Sequence, residues 1–93
     1  MKEIRVQIPA DISSEVERRF FEYNATRDII GYLMSRDDVL AKNLEKYLVI
    51  AENRFTELEL MKEDVTSQFV PEGISNYGYA FDFINCCIVY QVN

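Results

Sequence analysis

The sequence predicts an α+β fold with the order β-α-α-β-β, in which an antiparallel helical hairpin packs on a small, mostly antiparallel, three-stranded sheet. Three observations predict it. Residues 2–8 alternate between apolar and polar side chains, two long segments with helical periodicity follow, and a turn-rich loop leads into a strand-forming C-terminus. The 93 residues are 48% apolar and 28% charged, a composition that favours one globular domain over 1–93.

The first strand covers about residues 2–8, and Pro9 ends it. Its apolar face consists of Ile4, Val6 and Ile8. Asp11 or Ser13 then offers an N-cap for the first helix, because short oxygen-bearing side chains satisfy free amides at a helix start.

The first helix is predicted over about 12–34. Its main apolar stripe is formed by Ile12, Val16, Phe20, Tyr23, Ile30 and Met34, and Arg27 fills the remaining position of that stripe. Phe21, Ala25 and Tyr32 form a second apolar line. Gly31 is unfavourable in a helix interior, so the sequence leaves open whether the helix breaks there or approaches another element closely.

The second helix is predicted over about 37–68, with Ser35 and Asp38 resembling a capping box at its start. Its apolar stripe consists of Leu40, Leu44, Leu48, Ala51, Phe55, Leu58, Val65 and Phe69. A tight turn about residue 36 would place Arg27 level with Glu45, which predicts a salt bridge between them. Residues 61–69 would then extend beyond the first helix.

The C-terminal segment predicts a hairpin with a two-residue turn at Asn85-Cys86, which would pair Phe83 with Ile88 and Phe81 with Tyr90. One face of this hairpin is apolar. Chain direction predicts that the second strand lies antiparallel to the first and that the third returns beside the second. Without signs of secretion, Cys86 and Cys87 are expected to stay reduced and to pack as small apolar residues.

The residues that most enzymes and metal sites use are scarce. The chain has no histidine and two cysteines, and it contains no nucleophile, phosphate-loop or zinc motif, so we expect no catalytic site, no metal and no cofactor. Asp82 lies among aromatic residues on a strand. It is interpreted as a solvent-facing carboxylate, with a site carboxylate as the alternative.

Ten basic and sixteen acidic residues give a net charge of −6. Because basic residues supply most of the affinity for phosphate backbones, no direct binding of nucleic acid is expected. No apolar run is long enough for a membrane span, and the N-terminus lacks the apolar region of a signal peptide. These features predict a soluble cytoplasmic protein.

The positive signal is apolar surface beyond what one helical seam needs. Tyr47 and Ile50 add a second line on the second helix, and Val65 and Phe69 lie in the predicted overhang. We therefore predict a small acidic protein–protein interaction module, an accessory or regulatory subunit that binds a protein partner or copies of itself. The candidate interface is Phe21, Tyr32, Tyr47, Ile50, Val65 and Phe69.

Two alternatives stay open. An acidic inhibitor from a mobile element would occupy the nucleic-acid groove of a host protein by charge complementarity. A dense acidic face on the second helix would favour it, whereas the sequence mixes acidic and basic residues up to Lys62. A small structural component of a phage-like assembly is the other alternative, and no residue separates it from the interaction module.

Overall fold

The computed structural model of the chain describes residues 2–35 and 41–92, with side chains described from residue 43 in the second range. Its elements are β1 (Lys2–Gln7), α1 (Ala10–Met34), α2 (Ala41–Phe69), β2 (Gly78–Asp82) and β3 (Cys87–Val92). This order confirms the predicted β-α-α-β-β fold with a helical hairpin and a three-stranded sheet. The chain divides into a sheet unit (Met1–Glu17 and Met61–Asn93) and a hairpin unit (Arg18–Leu60).

The ends of α1 differ from the prediction. The helix begins at Ala10, and the Pro9 carbonyl accepts the first hydrogen bond, from the Ser13 amide at 3.0 Å. Pro9 therefore occupies the N-cap position, and neither Asp11 nor Ser13 does. The helix continues unbroken through Gly31, and the Ser35 hydroxyl donates to the Tyr32 carbonyl at 2.7 Å. Ser35 therefore follows the end of α1 instead of opening a capping box, and Asp38 lies outside the described residues.

The sheet has the order β1-β3-β2, and β3 is antiparallel to both neighbours. The predicted neighbour relation was therefore wrong: β1 pairs with β3, and β1 and β2 run in the same direction on opposite sides of it. Burial explains the order. Residues 87–90 of β3 are all buried, as expected of a central strand that has a neighbouring strand on each side.

The hairpin register was also wrong, by two residues. Phe81 pairs with Ile88 and Tyr79 with Tyr90, so the connection spans residues 83–86. A side chain inside this connection accounts for its length, because the Asp82 carboxylate accepts hydrogen bonds from the Asn85 amide and side chain, at 3.2 and 2.8 Å. A two-residue shift leaves every side chain on its predicted face of the sheet.

The sheet unit encloses a core in which Tyr90 and Ile88 are completely buried and Val16 is as well. The Tyr90 hydroxyl donates to the Thr66 carbonyl of α2 at 2.6 Å. Val65 is only 4% exposed, so the C-terminal part of α2 is covered within the chain. Lys62 lies over the Tyr79 ring, with 5.9 Å between its Nζ and the ring centroid.

Neither α1 nor α2, within the part of the chain that the structure describes, combines the length and the hydrophobicity that crossing a bilayer would need.

Candidate interaction surface on the hairpin unit

The seam between α1 and α2 in the hairpin unit is narrow. Three residues of the hairpin unit are buried: Thr26 at 2% exposed, Leu33 at 8% and Leu58 at 2%. Of these, Thr26 accepts a hydrogen bond from Arg54 across the seam. Tyr23 and Phe55 contact each other across it, with ring centroids 5.4 Å apart. A two-helix hairpin has only this one mutual face, so apolar side chains outside the seam are not covered by the partner helix.

Polar contacts fix the register of the two helices. The Arg54 guanidinium donates to the Glu22 carbonyl at 3.1 Å and to the Thr26 hydroxyl oxygen at 3.0 Å, both partly buried. Arg19 pairs with Glu57 at 2.8 Å. The predicted turn would have put Arg19 level with residue 53, so the observed pairing lies about one helical turn further along α2.

This register removes the predicted salt bridge between Arg27 and Glu45. The Arg27 guanidinium instead lies 5.8 Å from the centroid of the Tyr23 ring, a distance at which a cation is attracted by the ring face. The predicted bridge was wrong because it assumed a turn about residue 36, whereas the contacts of Arg19 and Arg54 place the helices in a different register.

Exposed large apolar side chains concentrate in the hairpin unit. Of the described residues, nine such side chains are exposed, and eight of them lie between residues 18 and 60; the ninth is Ile84 in the terminal hairpin, at 94%. We call the eight the exposed apolar set. Its members, with their exposed fractions, are Phe21 68%, Ile29 41%, Tyr32 54%, Met34 69%, Leu48 50%, Val49 54%, Phe55 46% and Leu60 61%.

The predicted interface residues fall into three groups. Phe21 and Tyr32 are exposed and belong to the exposed apolar set. Tyr47, Ile50 and Phe69 are half-buried. Val65 is a core residue of the sheet unit, because that part of α2 packs in the chain's own core, and it is removed from the candidate interface.

Sequence periodicity assigned the wrong α2 residues to the exposed side. Leu48 was placed in the seam, yet it is 50% exposed, while Tyr47 and Ile50 are more covered. Phe55 does lie in the seam against Tyr23, although it is 46% exposed. The cause is Arg54, whose hydrogen bonds to α1 turn its own face of α2 inward. A prediction that uses only the spacing of apolar residues does not detect a polar residue at a seam position. Thr26 and Arg54 were therefore missed as seam residues.

The other candidate residues have local roles. Asp82 accepts hydrogen bonds from Asn85 and pairs with Arg5 at 3.0 Å, and these contacts, led by the Asn85 side chain, hold the pKa of Asp82 below its ordinary value. Asp82 thus stabilises the turn and links β2 to β1 across the central strand β3. Cys86 lies in the turn with φ +51°, and the buried Cys87 thiol donates to the Asn85 carbonyl at 3.2 Å.

Over residues 2–35 and 41–92, no group of three or more Cys, Asp or Glu side chains has the arrangement to hold a metal ion. Comparison of the chain with protein-family models, with curated proteins and with solved structures finds no significant match. The function must therefore be argued from the surface itself.

Proposed function

We propose that this chain is a small protein–protein interaction module without catalysis of its own, and that its hairpin unit is the contact surface. The single observation that carries the proposal is the exposed apolar set. Scattered exposed apolar residues are normal, whereas a concentration of large exposed apolar side chains is typical of interaction surfaces. Here eight of nine among the described residues lie in one unit.

The chemistry of the set supports a protein partner. Phe21, Tyr32 and Phe55 are aromatic, and aromatic residues are enriched in the centres of protein interfaces because they bury much area with little loss of side-chain freedom. The other members of the set, Ile29, Met34, Leu48, Val49 and Leu60, are also apolar. A nucleic acid or an anionic lipid would instead need clustered lysine and arginine.

We place the module in the cytoplasm. This location is supported by Cys86 and Cys87, which are free thiols, since a reducing compartment keeps thiols in that state.

The test compares the wild-type chain with F21Q/L48Q and with I84Q as matched control, because Ile84 is also an exposed apolar residue but lies outside the hairpin unit. Each protein is used as bait in the native host, with mass spectrometry and a parallel measurement of self-association. We expect F21Q/L48Q to lose a specific protein contact, with another protein or with itself, that I84Q retains. If neither contact depends on the exposed apolar set, the proposal fails.

A second candidate, the acidic decoy, is favoured by how charge divides along the chain. Residues 18–60 carry 7 basic and 8 acidic residues, a net charge of −1, whereas the sheet unit carries 3 basic and 8 acidic residues, a net charge of −5. A decoy would bind basic proteins through the sheet unit. Salt would then abolish the captured contact, and F21Q/L48Q would retain it.

A further inference from the structure

We propose that the open edge of β2 binds an extended segment of another protein in which apolar and basic residues alternate. The segment adds a fourth strand to the sheet. The inference goes beyond the proposed function, because this site lies in the sheet unit and uses no member of the exposed apolar set. It is carried by the backbone groups at the edge, by the side chains beside them and by the charge of the sheet unit.

The backbone of β2 has hydrogen-bonding groups without a partner along its open side. The Ile8 amide donates to the Cys86 carbonyl at 2.9 Å, which fixes the residues of β3 that face β1 and those that face β2. Because this direction alternates along each strand, Ala80 bonds to β3, and the amides and carbonyls of Tyr79 and Phe81 point away from it. Within the described part of the chain, no backbone hydrogen bond outside the helices and the sheet reaches these two residues.

The two edges of the sheet differ in how they are protected. β1 carries three exposed charged residues, Lys2, Glu3 and Arg5, and charges on an edge strand hinder pairing with another chain. The sequence of β2, GYAFD, contains no basic residue and no proline, and its five consecutive pairs with β3 contain no bulge. β2 therefore lacks the features that keep further strands away from an edge.

The side chains of β2 indicate what the added strand carries on each face. Tyr79 and Phe81 are half-buried on the helix side of the sheet, where the Phe81 and Phe83 rings stack with centroids 5.8 Å apart. Lys62 already lies over the Tyr79 ring on this side. Apolar residues of the added strand therefore fit here. On the opposite face Ala80 is small and exposed, which leaves room for long side chains.

Charge selects a basic segment. The 3 basic and 8 acidic residues of the sheet unit give a net charge of −5. Asp82 ends β2, and the exposed Glu72 lies in the loop before it. Basic side chains on the face that Ala80 and Asp82 share are attracted by this unit, whereas acidic ones are repelled. Since side chains alternate along a strand, the occupant has basic residues on this face and apolar residues on the other.

Amide hydrogen exchange of the full chain, with and without a short synthetic peptide of alternating lysine and valine, tests the inference. We expect binding with a Kd of about 1 mM or lower. Exchange of the Tyr79 and Phe81 amides should slow by about tenfold or more, because the added strand accepts their hydrogen bonds. The Ala80 amide, which already bonds to β3, should change little. A peptide of alternating glutamate and valine should bind about tenfold more weakly, because the acidic sheet unit repels it.

The variants A80K and Q91K form a matched pair. Each adds one positive charge at an exposed position on the same face of the sheet, but Ala80 lies on the edge strand and Gln91 on the central strand. A80K should weaken binding of the lysine–valine peptide by about tenfold or more, because a lysine on an edge strand blocks pairing. Q91K should weaken it by about threefold at most, because its charge lies one strand further away and is screened. Both variants should keep the wild-type circular dichroism spectrum.

A lysine–valine peptide that leaves exchange of Tyr79 and Phe81 unchanged at millimolar concentration overturns the inference. So does binding that A80K leaves intact, since the site must then lie elsewhere, and so does equal binding of the two peptides. Protection of these amides that rises with protein concentration alone would show that two copies pair, and it would refute the basic occupant. F21Q/L48Q should bind the peptide like the wild type, so failure here leaves the interaction module standing, and failure of the module leaves this site standing.

Discussion

Replacing Tyr90 with phenylalanine removes one hydroxyl from the core of the sheet unit and leaves its ring in place. The Tyr90 hydroxyl donates to the Thr66 carbonyl at 2.6 Å, Tyr90 is completely buried and Thr66 is 2% exposed. This bond joins β3 to the last turns of α2. Water cannot replace the lost donor in such a position, so Y90F should destabilise the fold by leaving the buried Thr66 carbonyl without this hydrogen bond.

The expected loss is about 1–2 kcal/mol of the free energy of unfolding, from the net value of a hydrogen bond and the penalty on its buried acceptor. For a chain of this size that corresponds to a fall in Tm of about 4–8 °C for each kcal/mol. Urea unfolding followed by circular dichroism measures the loss. Hydrogen exchange of the β3 amides localises it to the sheet unit.

The matched control is Y77F. Tyr77 packs edge-on against Tyr90, with ring centroids 5.1 Å apart, and is only half-buried. Its hydroxyl contributes less, so Y77F should stay within about 0.5 kcal/mol of the wild type. If Y90F and Y77F destabilise the protein equally, the bond from Tyr90 to Thr66 does not contribute as argued, and the joint between β3 and α2 must rest on apolar packing alone.

Two further predictions concern pH and the turn. Burial, and next the neighbouring Tyr77, raise the pKa of Tyr90 to about 12 from an ordinary value of 10.0, so the fold favours the neutral phenol. The neutral Tyr90 phenol should therefore stabilise the fold fully below pH 10, and this stabilisation should disappear between about pH 10 and 12. Urea unfolding midpoints measured across this range should fall in the wild type and in Y77F, and should fall less in Y90F. Cys86 has φ +51°, a conformation that costs residues with a Cβ about 1–2 kcal/mol. The C86G variant should therefore raise the free energy of unfolding by up to about 1 kcal/mol. The C86A variant keeps the Cβ and should match the wild type. A C86G protein less stable than C86A in urea would contradict the assignment of strain to this turn.

Most of the fold was predictable because its signals are local. Alternation in β1 and long helical periodicity in α1 and α2 depend only on neighbouring residues, and the structure confirms them. The helix boundaries differ from the predicted ones by only a few residues where the structure describes them. The side chains of the terminal hairpin lie on their predicted faces of the sheet even though the strand pairing differs by two residues. Side chains alternate between the two faces along a strand, so a shift by an even number of residues leaves each on the same face.

The predicted surface fared unevenly, and Arg54 shows why. Its guanidinium reaches Glu22 and Thr26 on the other helix and thereby turns Tyr47 inward and Leu48 outward. Periodicity identifies that α2 has an apolar side but cannot fix its angle when a polar residue occupies the seam. The exposure of Phe21 and Tyr32 was predicted correctly, since they lie opposite the α1 seam and a moderate rotation leaves them exposed.

By itself, the amino-acid order determined which segments become helices and strands, and that the helices carry more apolar surface than one seam can cover. Only the tertiary structure decided that β3 is the central strand, how far α2 slides along α1, and which apolar side chains meet solvent. The physical reason is range. Helical and strand preferences act over a few residues, whereas strand order and helix register are selected by hydrogen bonds and burial between residues far apart in the chain, such as Arg19 with Glu57 and Thr66 with Tyr90.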